Sequence, residues 1–367
     1  MPENDLTLAP GTPLKLRVIS PLYRELYTSD VISVQERSIT ITMPAYQGKL
    51  ALISTGTPVE VTCAGSNLTF VSEVTGRGFQ PRPYLSLQLP YYLHSRKKQR
   101  PRVVTITSGK GGVGKTTFTI NFAIGLAQKG QRVFIIDADL GTANVDVLLN
   151  LQPKYNLTHI IKKEKEMLEI IMEGPGGIHL IPGGSGLQHL ANLEEWEFHR
   201  LISSLQSLEQ YADIILIDTG SGLGKNVINF VLAADNIIIV TTPEPHSITD
   251  AYAMMKVLDE HRLGTFPQLV LNRVETVREY QDISNKMVQV VNRFLSLRLS
   301  CLGYILEDPA VPRANRRLKP FLLEYPDTLA ARCVNSLVER FLNPEAGTAA
   351  LPGDRSFFSK IKDLFGR

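Results

Sequence analysis

Ten consecutive residues, Ser108-Gly109-Lys110-Gly111-Gly112-Val113-Gly114-Lys115-Thr116-Thr117, restrict this chain more than any other stretch. An apolar run, Val103-Val104-Thr105-Ile106, leads in, and a segment of helical periodicity, Phe118 to Ala127, leads out and stops at Gly130. Strand, glycine loop and helix in that order make a phosphate-binding loop. The glycines let consecutive backbone N–H groups converge on one polyphosphate, and the helix adds the positive end of its dipole. Lys115 is placed to reach the β- and γ-phosphates, and the Thr116 hydroxyl to hold Mg²⁺. Gly109 to Thr117 therefore form the predicted nucleotide cradle.

A second lysine, Lys110, gives the pattern Lys-Gly-Gly-Val-Gly-Lys-Thr. Two ammonium groups in one loop exceed what a single triphosphate needs from its own subunit. The pattern resembles the deviant Walker A motif of the MinD/ParA family of dimerising ATPases, in which the first lysine crosses the dimer interface to the partner's nucleotide. The resemblance implies ATP and Mg²⁺ as cofactors, a homodimer closed on two nucleotides, and catalytic roles for Lys110 and Lys115.

From Arg102 to about Asn343, apolar runs alternate with helical patterns, as in βαβ units on a mostly parallel sheet flanked by helices. Phe134-Ile135-Ile136 ends in Asp137-Ala138-Asp139, and Asp213 to Ile217 ends in Asp218-Thr219-Gly220-Ser221-Gly222. Carboxylates at the carboxyl ends of strands beside a phosphate loop sit where magnesium and the attacking water must be held. On the family pattern Asp137 and Asp218 order the magnesium shell, Asp139 positions the water, and Asn144 and Asp146 line the dimer face. Asn272, closing Leu269-Val270-Leu271, would meet adenine, and Gly303 to Val311 resembles the base-enclosing loop. No Asn-Lys-x-Asp guanine motif occurs, which favours ATP. Pro182-Gly183-Gly184-Ser185-Gly186, followed by Leu190-Ala191-Asn192-Leu193, is similar to the flagellar-number regulator branch of the family (FlhG or FleN). Asn192 would cap the next helix.

Residues 12–92 differ in kind: six short alternating runs separated by Gly, Pro, Asn or Ser predict a small antiparallel barrel or sandwich. The runs are 14–19, 31–43, 49–53, 59–63, 69–74 and 84–89, and Leu22 to Tyr27 hints at a helical turn. Ile39 to Pro44, Gly48-Lys49, Gly56 to Val61 and Phe70 to Val74 resemble the PilZN domain of flagellar brake (YcgR) proteins. In those proteins an arginine motif at the following junction binds cyclic di-GMP. Arg96 and Arg100 echo it, but its Asp/Asn-x-Ser-x-x-Gly complement is absent, so cyclic di-GMP is not expected. The basic stretch 93–102 reads as a solvated linker, with nucleic acid or anionic lipid as less favoured ligands.

A linker at 344–353 leads to 354–367, where Phe357, Phe358, Ile361, Leu364 and Phe365 share a helical arc of about 120°. An aromatic face flanked by lysines and arginines predicts an interfacial membrane helix, as at the C-terminus of MinD-type proteins. The net charge of +3 selects no partner globally, and the three cysteines, scattered and without Cys-x-x-Cys, predict a reducing compartment. With no signal peptide and no membrane-spanning run, the chain reads as cytoplasmic and peripheral at the inner face of the membrane. The resemblance further implies a flagellar partner such as the FlhF-type GTPase. Septum positioning of the MinD type and DNA or cargo partitioning of the ParA type are the alternatives.

Overall fold

The structure, a computed structural model, describes residues 8–20, 22–35, 38–64, 69–89, 100–139, 145–184, 194–261, 266–343 and 356–365. The chain divides into two compact units, residues 1–96 and 97–367.

The first unit contains β1 (Pro13–Val18), β2 (Leu26–Gln35), β3 (Ser38–Thr42), β4 (Ala45–Tyr46), β5 (Lys49–Leu50), β6 (Pro58–Cys63), β7 (Thr69–Gly78) and β8 (Tyr84–Gln88). Six of them close in the order β1-β6-β7-β8-β3-β2 because β2 also pairs antiparallel with β1, and the β4–β5 hairpin hangs from β2. Period-2 alternation sends Leu14, Leu16, Val18, Val59, Val61 and Leu85 inward. Two expectations change. The run 31–43 folds as a hairpin, with Val34 opposite Ile39, so one run supplies parts of two strands. Leu22 to Tyr27 forms no helical turn; Leu26 and Tyr27 open β2, where Tyr27, Ser29 and Val31 alternate into the barrel.

The second unit begins with β9 (Arg102–Ser108), α1 (Lys115–Gln128), β10 (Val133–Ala138), α2 (Val145–Leu148), α3 (Leu157–Ile161), α4 (Met167–Ile170), β11 (Met172–Glu173) and β12 (His179–Ile181). It continues through α5 (Glu195–Gln206), β13 (Ile214–Ser221), α6 (Lys225–Ala233), β14 (Asn236–Thr241), α7 (Pro245–Glu260), β15 (Pro267–Val274), α8 (Val277–Phe294) and β16 (Ser300–Leu306). The last helices are α9 (Ala310–Arg316), α10 (Phe321–Glu324), α11 (Leu329–Leu342) and α12 (Phe357–Phe365). The sheet runs β11-β12-β10-β13-β9-β14-β15-β16, parallel except at the β11–β12 edge. Its inner strands are buried along their length, which explains their continuous rather than alternating apolar sequence. With β9 central, β13 beside it and β10 next beyond β13, the strand ends bearing Asp218 and Asp137 fall on the side of the sheet where β9 runs into the glycine loop.

The C-terminal helix departs from the expectation of a segment held away from the fold. α12 packs against α5 and α6, burying Phe357, Phe358 and Ile361, while Leu364 is half-buried. The Phe365 side chain lies outside the described residues. Lys360 Nζ stands 3.9 Å from Asp235 Oδ1, and Arg100 Nη2 reaches the same oxygen at 2.8 Å. The Val103 N–H donates to the other oxygen of Asp235. Arg102 places its guanidinium 4.2 Å from the centre of the Phe341 ring and donates to Asn236. Arg100 and Arg102 are thus structural, not solvated linker, because each finds a buried acceptor at the amino-terminal rim of the sheet. Arg96 to Gln99 lie outside the described residues. Among the described residues no helix is long and apolar enough to cross a membrane.

Candidate nucleotide site

The loop between β9 and α1 takes the shape its glycines permit. Gly112 and Gly114 have φ of 79° and 89°, in the left-handed region. Gly114 is also the residue before the first turn of α1, and a Cβ there would collide with the Asn272 amide. No side chain caps α1, so its first N–H groups are left for an anion.

Beneath the loop, Asp218 is fully buried and gathers three donors from α1. Thr116 Oγ1 donates to Oδ2 at 2.7 Å, Thr119 Oγ1 lies 2.9 Å from Oδ1, and Lys115 Nζ is 3.4 Å from Oδ1. Asp137 sits opposite Asp218 in the parallel β10–β13 register and is itself buried. Burial, and then the neighbouring Asp218 carboxylate, pushes the Asp137 carboxyl up to about 7, against the N–H bonds from Asp139 and Val145 that favour its charge. Two neighbouring buried carboxylates beside a hydroxyl and a phosphate cradle fit an oxygen-ligated divalent cation. Thr116, Asp137 and Asp218 are the residues that would hold it, directly or through water.

Asp139 follows at the end of β10. Its N–H donates to Asp137 Oδ1 at 3.2 Å, and its carboxylate faces Gly220, just beyond Asp218. Gly222, with φ of 88°, takes a left-handed conformation that glycine adopts without strain. Asp146 opens α2, whereas Leu140 to Asn144 and Ser185 to Leu193, with Asn192, lie outside the described residues.

Lys110 parts company with Lys115. Lys115 is buried on Asp218, whereas Lys110 is 38% exposed and donates to Glu244 Oε2 at 2.8 Å. Glu244 lies on the surface just before α7, and the hydrogen bond and charge of Lys110 lower its pKa. Nothing in the spacing of Lys110 and Glu244, 134 residues apart, signals this pair.

A cavity of about 120 Å³ opens beside the loop, lined by Gly114, Thr117, Asn272, Arg273, Asp308 and Asn315 among others. Asn272 donates to Val113 O at 2.8 Å, so it braces the loop as well as lining the cavity. Asn315 donates to the Thr117 hydroxyl at 3.3 Å, bringing α9 onto the loop. Neither this contact nor that of Thr119 is announced by the loop motif, although Thr119 lies three residues after Thr116 on one helical face.

Central β9, the glycine loop and the two strand-end carboxylates define a P-loop nucleoside triphosphatase. Residues 101–269 match the AAA domain family, and residues 9–90 match that of flagellar protein YcgR. The chain is 35% identical over 239 residues to the antiactivator FleN of Pseudomonas aeruginosa, covering 65% of this chain and 85% of that protein. It is 33% identical over 282 residues to the flagellum site-determining protein YlxH of Helicobacter pylori, covering 73% of this chain and 92% of that one. The cell division ATPase MinD of Pyrococcus furiosus superposes with a TM-score of 0.54 at 25% identity, over 66% of this chain and 99% of that one. The chain belongs to the MinD/ParA family of ATPases, in its FleN/FlhG branch of flagellar regulators. Its domain organisation includes an N-terminal YcgR-type barrel.

Proposed function

We propose that this ATPase is a nucleotide-timed switch: ATP closes a homodimer, the dimer acts at the inner face of the cytoplasmic membrane in setting flagellar number or placement, and hydrolysis resets it. One observation carries the reading. Of two lysines in one loop, Lys115 is buried on its own Asp218 while Lys110 stands at the surface on an exposed glutamate, open to solvent. In the closed state Lys110 leaves Glu244 for the partner's nucleotide. Both Lys110 and Glu244 are solvated, so the exchange meets little resistance.

Bound Mg²⁺ would neutralise charge developing on the β- and γ-phosphates. The chain's own residues do the rest: the loop N–H groups and Lys115 fix the phosphates, and Thr116, Asp137 and Asp218 fix the cation. Asp139 holds the attacking water and accepts its hydrogen bond. Asn272 and the cavity beside it take adenine.

Membrane contact requires α12 to leave α5 and α6. Burying Phe357, Phe358 and Ile361 in lipid regains the transfer free energy lost on leaving protein, about 1.5–3 kcal/mol per side chain, which offsets the apolar cost of undocking. Pairing two helices in one dimer tips that balance through avidity. A flagellar assembly protein, of the FlhF GTPase type or a flagellar regulator, is the proposed partner, with the N-terminal barrel as a docking module. DNA partitioning gains no support from Arg100 and Arg102, which are committed to internal contacts.

Sedimentation with vesicles of anionic and zwitterionic phospholipid tests the membrane reading. With a non-hydrolysable ATP analogue the full chain should pellet, and a chain lacking 354–367 should stay in the supernatant. Equal pelleting of the two would contradict a lipid-binding role for α12.

A further inference from the structure

Asp218 is the hinge of the site, and its orientation decides whether an oxygen faces the phosphates. A carboxylate can turn about its terminal torsion, which is broad and roughly two-fold. Thr116 contacts only Oδ2, so a second, separate donor is needed to stop the group from swinging. Lys115 is 3.4 Å from Oδ1 and is drawn toward phosphate when nucleotide binds, which leaves it a poor anchor. Thr119 meets the requirement. It lies in the second turn of α1, is fully buried, and places Oγ1 2.9 Å from Oδ1. Its hydroxyl also lies 3.0 Å from the Lys115 carbonyl, the bond a threonine inside a helix makes by default. One hydroxyl proton serves the stronger acceptor, and a buried carboxylate outranks a carbonyl already engaged in a helix.

We propose that Thr119 is a positioning residue for the metal: by donating to Asp218 Oδ1 it keeps Oδ2 aimed at Thr116 and the phosphate loop. This rests on the reading of Asp218 as the magnesium-side carboxylate. The effect falls on metal affinity rather than phosphate affinity, because the hydroxyl's other neighbour in the loop, the Lys115 carbonyl, is already engaged as an acceptor inside α1.

Binding of a fluorescent ADP to the full chain, titrated with Mg²⁺ and repeated in EDTA, separates the two. Thr119→Val keeps the shape and removes the donor. It should raise the magnesium midpoint by roughly ten- to a hundredfold, the range for loss of an outer-shell partner. Affinity in EDTA should stay at the wild-type value. Thr119→Ser should restore the midpoint, and Thr119→Ala, which removes the hydroxyl without introducing a second methyl, should repeat the shift. A wild-type midpoint in folded Thr119→Val or Thr119→Ala would overturn the inference. So would equal losses with and without magnesium, which mark a purely structural hydroxyl. A wild-type midpoint in Asp218→Asn would instead overturn the reading of Asp218 itself.

Discussion

Asp139→Ala is expected to slow phosphate release from ATP by about a hundredfold or more, the typical worth of a group that handles the proton of the attacking water. ATP binding should be nearly unchanged. Asp139 stands just beyond the end of β10 with its carboxylate facing Gly220, and it is not one of the donors from α1 that gather on Asp218. Its backbone serves Asp137, but an alanine keeps that N–H. Steady-state phosphate release and equilibrium nucleotide binding, measured on the same preparations, separate the two effects. Equal rates near zero in wild type and variant would leave a nucleotide-gated scaffold without turnover. Equal and substantial rates would transfer the water-handling role to another residue.

Asp137→Asn carries the second large effect, and its sign is opposite to that of most active-site substitutions. In the nucleotide-free protein the Asp137 carboxyl is raised to about 7, first by burial and then by Asp218. An unfolded aspartate ionises near pH 3.9. Between about pH 4 and pH 7, therefore, the unfolded chain releases a proton that the folded chain retains, and folded stability falls as pH rises through that window. Above it the loss is complete, at most roughly 4 kcal/mol for a shift of about three pH units. Asparagine has no proton to lose. Urea unfolding in EDTA should show Asp137→Asn more stable than wild type at pH 8, with the gap closing toward pH 4. Greater wild-type stability at pH 8 would contradict the account. The same substitution should weaken magnesium binding, since the penalty the apo protein carries is the charge a cation would use.

What could be read from the chain alone follows a physical division. The glycine loop, Lys115, Thr116 and the strand-end aspartates are legible because β9, its loop and α1 are contiguous, and because a buried parallel strand ends where its apolar run ends. Contacts made through space are not. Glu244 on Lys110, Thr119 on Asp218, and Arg100 with Lys360 on Asp235 join residues 134, 99, 135 and 125 positions apart. No local pattern encodes those pairings.

The C-terminal helix shows the same limit differently. An amphipathic stripe specifies an apolar partner but not whether that partner is lipid or protein. The groove of α5 and α6 is assembled from segments well over a hundred residues upstream, so Phe357, Phe358 and Ile361 look the same in sequence whether docked or inserted. The barrel strands were legible by alternation. The hairpin between β2 and β3 was not, because the run 31–43 contains no Gly, Pro or Asn to mark a turn.

Light scattering of the full chain with magnesium and a non-hydrolysable ATP analogue tests the central claim most directly. Wild type should show twice its 40.8 kDa chain mass, and Lys110→Ala should show the single-chain mass at the same protein and nucleotide concentrations. Wild type that binds the analogue yet scatters as one chain, or Lys110→Ala that doubles its mass like wild type, would contradict a switch built on a lysine lent between subunits.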